Sequence, residues 1–145
     1  MSNLPWYALQ NPEKVNSPAL LVYPDRIQQN IDTMLKMSED SEFLRPHVKT
    51  HKTAEIIQMQ LKSGISKFKC ATIAEAEMLG MVKAPDVLLA YQPNAPKLAR
   101  FIQLIKTYPE TEFSCLLDNE ATADAISAAA LQYGIVIPVY IDLNI

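Results

Sequence analysis

The chain has 145 residues, 49% of them hydrophobic and 20% charged, with a formal net charge of −3. That length supports one core of ordinary size, and the slightly acidic balance excludes a global positive field that would recruit nucleic acid or anionic lipid. No apolar run approaches the roughly 20 residues that span a bilayer, and MSNLPWYALQNPEK lacks the basic start and apolar stretch of a signal peptide. Cys70 and Cys115 stand alone in apolar runs, without metal or CxxC spacing. They read as reduced core residues of a cytoplasmic protein.

After a lead-in over residues 1–16, Pro24-Asp25 opens RIQQNIDTMLKM, where Ile27, Ile31, Met34 and Leu35 form one apolar stripe of a helix. FLRPHVK follows as an extended segment, because Pro46 is hostile to a helix interior and pushes Arg45 towards extended dihedrals. A helix begins near Thr53, carries Ile57 and Leu61 four apart, and stops at Gly64. KFKCA is then extended. Thr72 and Glu75 match a capping box that opens the next helix, which ends at Gly80. VLLAY is extended, and Asn94 precedes a helix with Leu98, Phe101, Ile102 and Ile105 on one face. FSCLL is extended, Asp118 precedes an alanine-rich helix that stops at Gly134, and PVYIDL closes the series.

All three glycines thus read as helix stops, which leaves none for a P-loop or a GxGxxG fingerprint. Extended segments recur at roughly 20 to 26 residues with helices between them, the rhythm of parallel βα units. Five such units without a change of rhythm suit a (β/α)8 barrel or a doubly wound sheet, and the barrel is favoured. The last strand has no covering helix, and an open parallel edge invites mispairing. The expectation is a front portion of a longer protein.

The segment from Arg45 to Lys52, RPHVKTHK, holds both histidines of the chain. If it runs as a strand into a loop, alternation places Phe43, Arg45, His47, Lys49 and His51 on one side, with Leu44, Pro46 and Val48 on the other. A polar series at a strand's C-terminal end occupies the place where barrel enzymes build active sites. Lys49 stands at its centre. A lysine becomes nucleophilic when partial burial or cationic neighbours, here Arg45 and Lys52, disfavour its ammonium form, and this is what a Schiff-base lysine requires. Two other readings remain beside it. His47 and His51 are spaced i, i+4 like a zinc pair, but Pro46 opposes the helix and no HExxH glutamate is present. A solvated basic turn also fits the spacing. A nucleic-acid patch is weaker, since no aromatic residues interleave.

SPALLVY with its following helix, LRPHVKTHK, KCATIAEAEML, VLLAYQP, LLDNE and VYIDL together resemble the N-terminal barrel of the alanine-racemase-like pyridoxal-phosphate enzymes. Within them the chain is most similar to the D-threonine aldolase and D-serine dehydratase group, from about Ser17 onwards. The resemblance implies that residues 17–145 are about the first five βα units of a pyridoxal-phosphate barrel, and that Lys49 forms the Schiff base with pyridoxal 5′-phosphate. Arg45, His47 and His51 are then expected around the cofactor. It further implies a lyase acting on small D-amino acids, with a homodimer in the full-length protein. A divalent, zinc-like metal would be held by a C-terminal β-domain outside this chain, with no metal ligands within it. A racemase, or a non-catalytic barrel that binds the cofactor, is the alternative.

Overall fold

The computed structural model of the chain describes residues 5–143. Five α-helices are present: α1 (Pro24–Met37), α2 (Ala54–Lys62), α3 (Ile73–Met81), α4 (Ala95–Thr107) and α5 (Glu120–Tyr133). From α2 onwards they alternate with four strands, β1 (Lys67–Cys70), β2 (Asp86–Leu89), β3 (Glu112–Leu117) and β4 (Val139–Ile141). All pairings are parallel and the spatial order is β1-β2-β3-β4. A doubly wound sheet reverses strand order at its switch point. The described strands run in one direction without such a reversal, as barrel strands do.

The sheet has two unlike faces. Phe68, Cys70, Val87, Leu89, Phe113 and Cys115 point to one side, are at most 2% exposed, and join Ile57, Ala76, Leu79 and Phe101 in the core beneath the helices. The other side carries Lys67, Lys69, Asp86, Leu88 and Ser114. On this second side Arg45, upstream of β1, lies over Asp86 of β2 and reaches within 5.9 Å of the Tyr140 ring on β4.

Most helix boundaries follow their sequence signals. Thr72 caps α3 by accepting the Glu75 N–H at 3.1 Å, and the Glu75 carboxylate returns to the Ala71 N–H at 2.8 Å. The cap of α5 is Asn119 rather than Asp118; its side chain accepts from the Thr122 N–H at 2.9 Å. Gly134 ends α5 with φ +63, and Gly64 follows α2 with φ +90.

Gly80 departs from the expected pattern. It lies inside α3, which continues to Met81, and a β-carbon there would stand 2.7 Å from the Tyr108 ring and 3.2 Å from Phe113. Its lack of a side chain lets the loop after α4 lie against α3. The sequence signal for a stop and for a close contact is the same letter.

Gly80→Ala should therefore destabilise the full-length protein by about 1–3 kcal/mol, since overpacking forces the Tyr108 ring to move. A denaturant midpoint equal to wild type would show that the contact relaxes freely.

Candidate active site

The extended segment before β1 is shorter than a strand. Phe43 belongs to a single 3-10 turn at Ser41–Phe43 and is exposed. Only residues around Pro46 lie beside the sheet: the Pro46 carbonyl accepts the Lys69 N–H at 2.9 Å, and His47 forms one isolated parallel bridge with Lys69. A second 3-10 turn, Val48–Thr50, follows at once. With about three residues per turn it resets side-chain directions. The strand alternation expected from Phe43 to His51 therefore holds only through His47.

The local sequence dictates this turn. His47 caps it, with Nδ1 accepting the Lys49 N–H at 3.2 Å. Thr50 Oγ1 donates to the His47 carbonyl at 3.2 Å, while the N–H groups of His51 and Lys52 both reach the Val48 carbonyl. Val48 is fully buried and plugs the turn into the core. Lys52 adopts φ +50, a conformation that non-glycine residues seldom take outside constrained sites. His51 repeats the device of His47: its Nδ1 accepts the Thr53 N–H at 3.1 Å.

Lys49 is exposed on this turn, at the C-terminal end of the segment and next to the end of β1. The expected partial burial is not seen. Among the described residues it takes part in none of the ion pairs. Burial lowers the pKa of His47, with Lys49 and Lys69 adding repulsion and Glu75 opposing them. Burial also lowers that of His51, with a hydrogen bond to the Thr53 backbone and then Glu75 opposing it. Both rings thus favour the neutral form at neutral pH.

Arg45 was expected beside Lys49 and the cofactor. The structure commits it elsewhere. Its guanidinium forms a fork on Asp86, with bonds of 2.6 and 2.7 Å, and also donates to the Phe68 carbonyl at 3.4 Å. The pair lies at the start of β2, towards the N-terminal end of the sheet. The hydrogen bonds it donates to Asp86 outweigh partial burial and raise the Arg45 pKa. Lys52, the other expected cationic neighbour, leans towards Glu75 at 3.7 Å.

Two residues near the turn were missed. Lys69 faces the same side as His47 because they are bridge partners, and the alternation of KFKC could have shown it. Glu75 is only 5% exposed, yet it bears on Lys52, both histidines and Cys70. The capping box signal located it without revealing that its carboxylate also serves the turn. Another atom stands out: His51 Nε2 is buried and has no hydrogen-bond partner. No group of three or more metal-ligating side chains occurs among the described residues, and no helix among them is long and apolar enough to cross a membrane.

A parallel sheet with a polar, lysine-bearing turn at its C-terminal end is the arrangement in which barrel proteins of alternating strands and helices place their sites. The sequence profile of the family "alanine racemase, N-terminal domain" matches residues 22–145, and the chain belongs to that family. It is 30% identical over 131 residues to a D-threo-3-hydroxyaspartate dehydratase from Delftia sp. (strain HT23), covering 90% of this chain and 34% of the relative. It is 27% identical over 134 residues to a D-threonine aldolase from Arthrobacter sp, covering 91% of the chain and 35% of that protein. The crystal structure of a D-threonine aldolase from Filomicrobium marinum superposes with a TM-score of 0.80 at 26% identity, covering 90% of this chain and 35% of that one. The chain thus spans about a third of the length of the curated relatives it matches.

Cys70 and Cys115 lie outside this chemistry. Both are buried and free, and burial pushes their thiols up to about 12 and about 11. A thiol reagent at pH 7.5 should leave both unmodified in the native full-length protein and label both after unfolding, because the reactive form is the thiolate. Fast labelling of either in the native state would contradict the burial.

Asp86→Asn should destabilise by about 1–2 kcal/mol, because it removes the charge from a strong fork while both groups keep some access to water. The readout is the denaturant midpoint of the full-length protein. An unchanged midpoint would show that Arg45 finds another partner.

Proposed function

We propose that the chain forms the front of a pyridoxal-phosphate-dependent lyase acting on a D-amino acid, of the aldolase or dehydratase kind, with Lys49 as the residue that holds the cofactor covalently. The carrying observation is the placement of Lys49: an exposed amine, outside the ion pairs, on a turn pinned to the C-terminal end of a parallel sheet. The names of the relatives support the reaction class and the D-configuration of the substrate.

The residues present fit such a group. An amine condenses with a carbonyl through its lone pair, and no carboxylate among the described residues holds Lys49 in an ion pair that would favour the ammonium. The buried His51 Nε2 needs an oxygen acceptor, and a phosphorylated pyridine carries several. When bound, the cofactor supplies an electron sink for bond cleavage at the substrate's α-carbon. A Lys49 amine not engaged with the cofactor would be free to hold or move a proton at the substrate's α-carbon. His47 sets the Lys49 backbone, and His51 offers its Nε2 to the ligand. Arg45 acts at one remove, by fixing the segment through Asp86.

In this reading residues 17–145 are the first βα units of an eight-stranded barrel. The remaining strands, a C-terminal β-domain and a divalent metal ligated there complete a cytoplasmic homodimer. D-threonine-like and D-serine-like compounds are the substrate class.

Borohydride reduction of the full-length protein with its cofactor should fix the label on Lys49, as read by peptide mapping. Label on Lys52 or Lys69 would sink the assignment. Lys49→Ala should abolish the label and lower turnover by at least a thousandfold, and Lys49→Arg should not restore either, because guanidinium stays protonated.

A further inference from the structure

The two histidines make the same bond in the same direction. In each, Nδ1 accepts the N–H two residues on: Lys49 N–H to His47 at 3.2 Å, and Thr53 N–H to His51 at 3.1 Å. An imidazole nitrogen that accepts cannot carry a proton, so a neutral ring in this position has its proton on Nε2. His47 takes the N–H of Lys49 itself. We propose that His47 and His51 are a pair of positioning residues, each locked as the neutral Nε2–H tautomer, that hold the Lys49 turn by capping its backbone and act as hydrogen-bond donors rather than as proton acceptors. The ligand part of this inference rests on the reading of Lys49 above; the tautomers do not.

The turn depends on these caps. It is short, its exit residue Lys52 sits at φ +50, and its end is held by the Val48 carbonyl and by Thr50 Oγ1 on the His47 carbonyl. Protonating His47 places a second donor against the Lys49 N–H, so attraction becomes repulsion. The groups acting on His47 are Lys49 on its own turn, Lys69 from β1 and Glu75 from α3; on His51 they are the Thr53 backbone and Glu75, both opposing the burial that lowers it. Both rings have a lowered pKa on folding, so the unfolded chain takes up protons first as pH falls. The cap is complete above about pH 6.5, the ordinary histidine value, and is lost as pH falls through the lowered folded value.

The pair also divides the work. His47 Nε2 shares the polar face with Lys69, whereas His51 Nε2 is buried and unpartnered. His51 is thus fixed as a donor for an acceptor oxygen and cannot serve as a general base without breaking its bond to Thr53. A substrate proton must be taken by another group, and Lys49 is the one within this turn.

The test uses the full-length protein with its cofactor, labelled with 15N-histidine. At pH 7.5, nitrogen shifts and couplings should place the proton on Nε2 and leave Nδ1 bare in both rings. A proton on Nδ1, or a charged ring at that pH, overturns the proposal. A second arm compares His47→Ala with His47→Asn, whose short side-chain carbonyl accepts from the N–H two residues on. His47→Ala should slow borohydride-trapped capture of pyridoxal 5′-phosphate at Lys49 by about fivefold, the equivalent of one hydrogen bond. His47→Asn should recover most of that rate and remove the acid limb of its pH profile. Equal rates for the two variants overturn the cap. Label on a different lysine in the wild type would refute the assignment of Lys49 while leaving the tautomer measurement to decide this inference alone.

Discussion

One hydrogen bond positions everything that follows from RPHVKTHK: the Pro46 carbonyl accepting the Lys69 N–H. Proline has no N–H to donate, so the segment cannot form a full ladder at that residue. It touches the sheet at one bridge and then turns. The consequence is that Lys49 is presented by a capped turn rather than along a strand. Val48 anchors the turn below, fully buried, and the imidazoles secure it above. The lysine's position is thereby over-determined while its side chain stays exposed.

The sheet divides labour by face. Phe68, Cys70, Val87, Leu89, Phe113 and Cys115 form a dry layer under the helices, and burying them supplies the apolar driving force. The opposite face keeps Lys69 and Asp86, and its charged groups are paired or near water. Arg45 spans this face from Asp86 towards Tyr140. Its fork restrains the segment at the end of the sheet away from Lys49. Structure and chemistry thus occupy opposite ends of one short run of chain.

Much of the fold was legible because its signals are local. Short extended segments recurring between helix signals located β1 to β4, and Thr72 with Glu75 marked the start of α3, since capping needs only residues a turn apart. The family resemblance, carried chiefly by RPHVKTHK, agrees with the profile match and with the relatives. What escaped reading depends on partners distant in sequence. Gly80 is read correctly only once Tyr108 and Phe113 are known to press on it. Arg45 looked available to the site because nothing in sequence announces Asp86, 41 residues away. The 3-10 turn escaped for a different reason: its cap is an imidazole, which propensity rules for N-caps do not count among the favoured residues.

The central claim is that a lysine held by a histidine-capped turn above a parallel sheet carries the cofactor. Its most direct test is a crystal structure of the full-length protein grown with pyridoxal 5′-phosphate. The account predicts continuous density from Lys49 Nζ into the cofactor, with Nδ1 of His47 still facing the Lys49 N–H and His51 Nε2 on an oxygen of the ligand. Cofactor density joined to another lysine, or RPHVKTHK refolded as a regular strand with both Nδ1 atoms released, would contradict it.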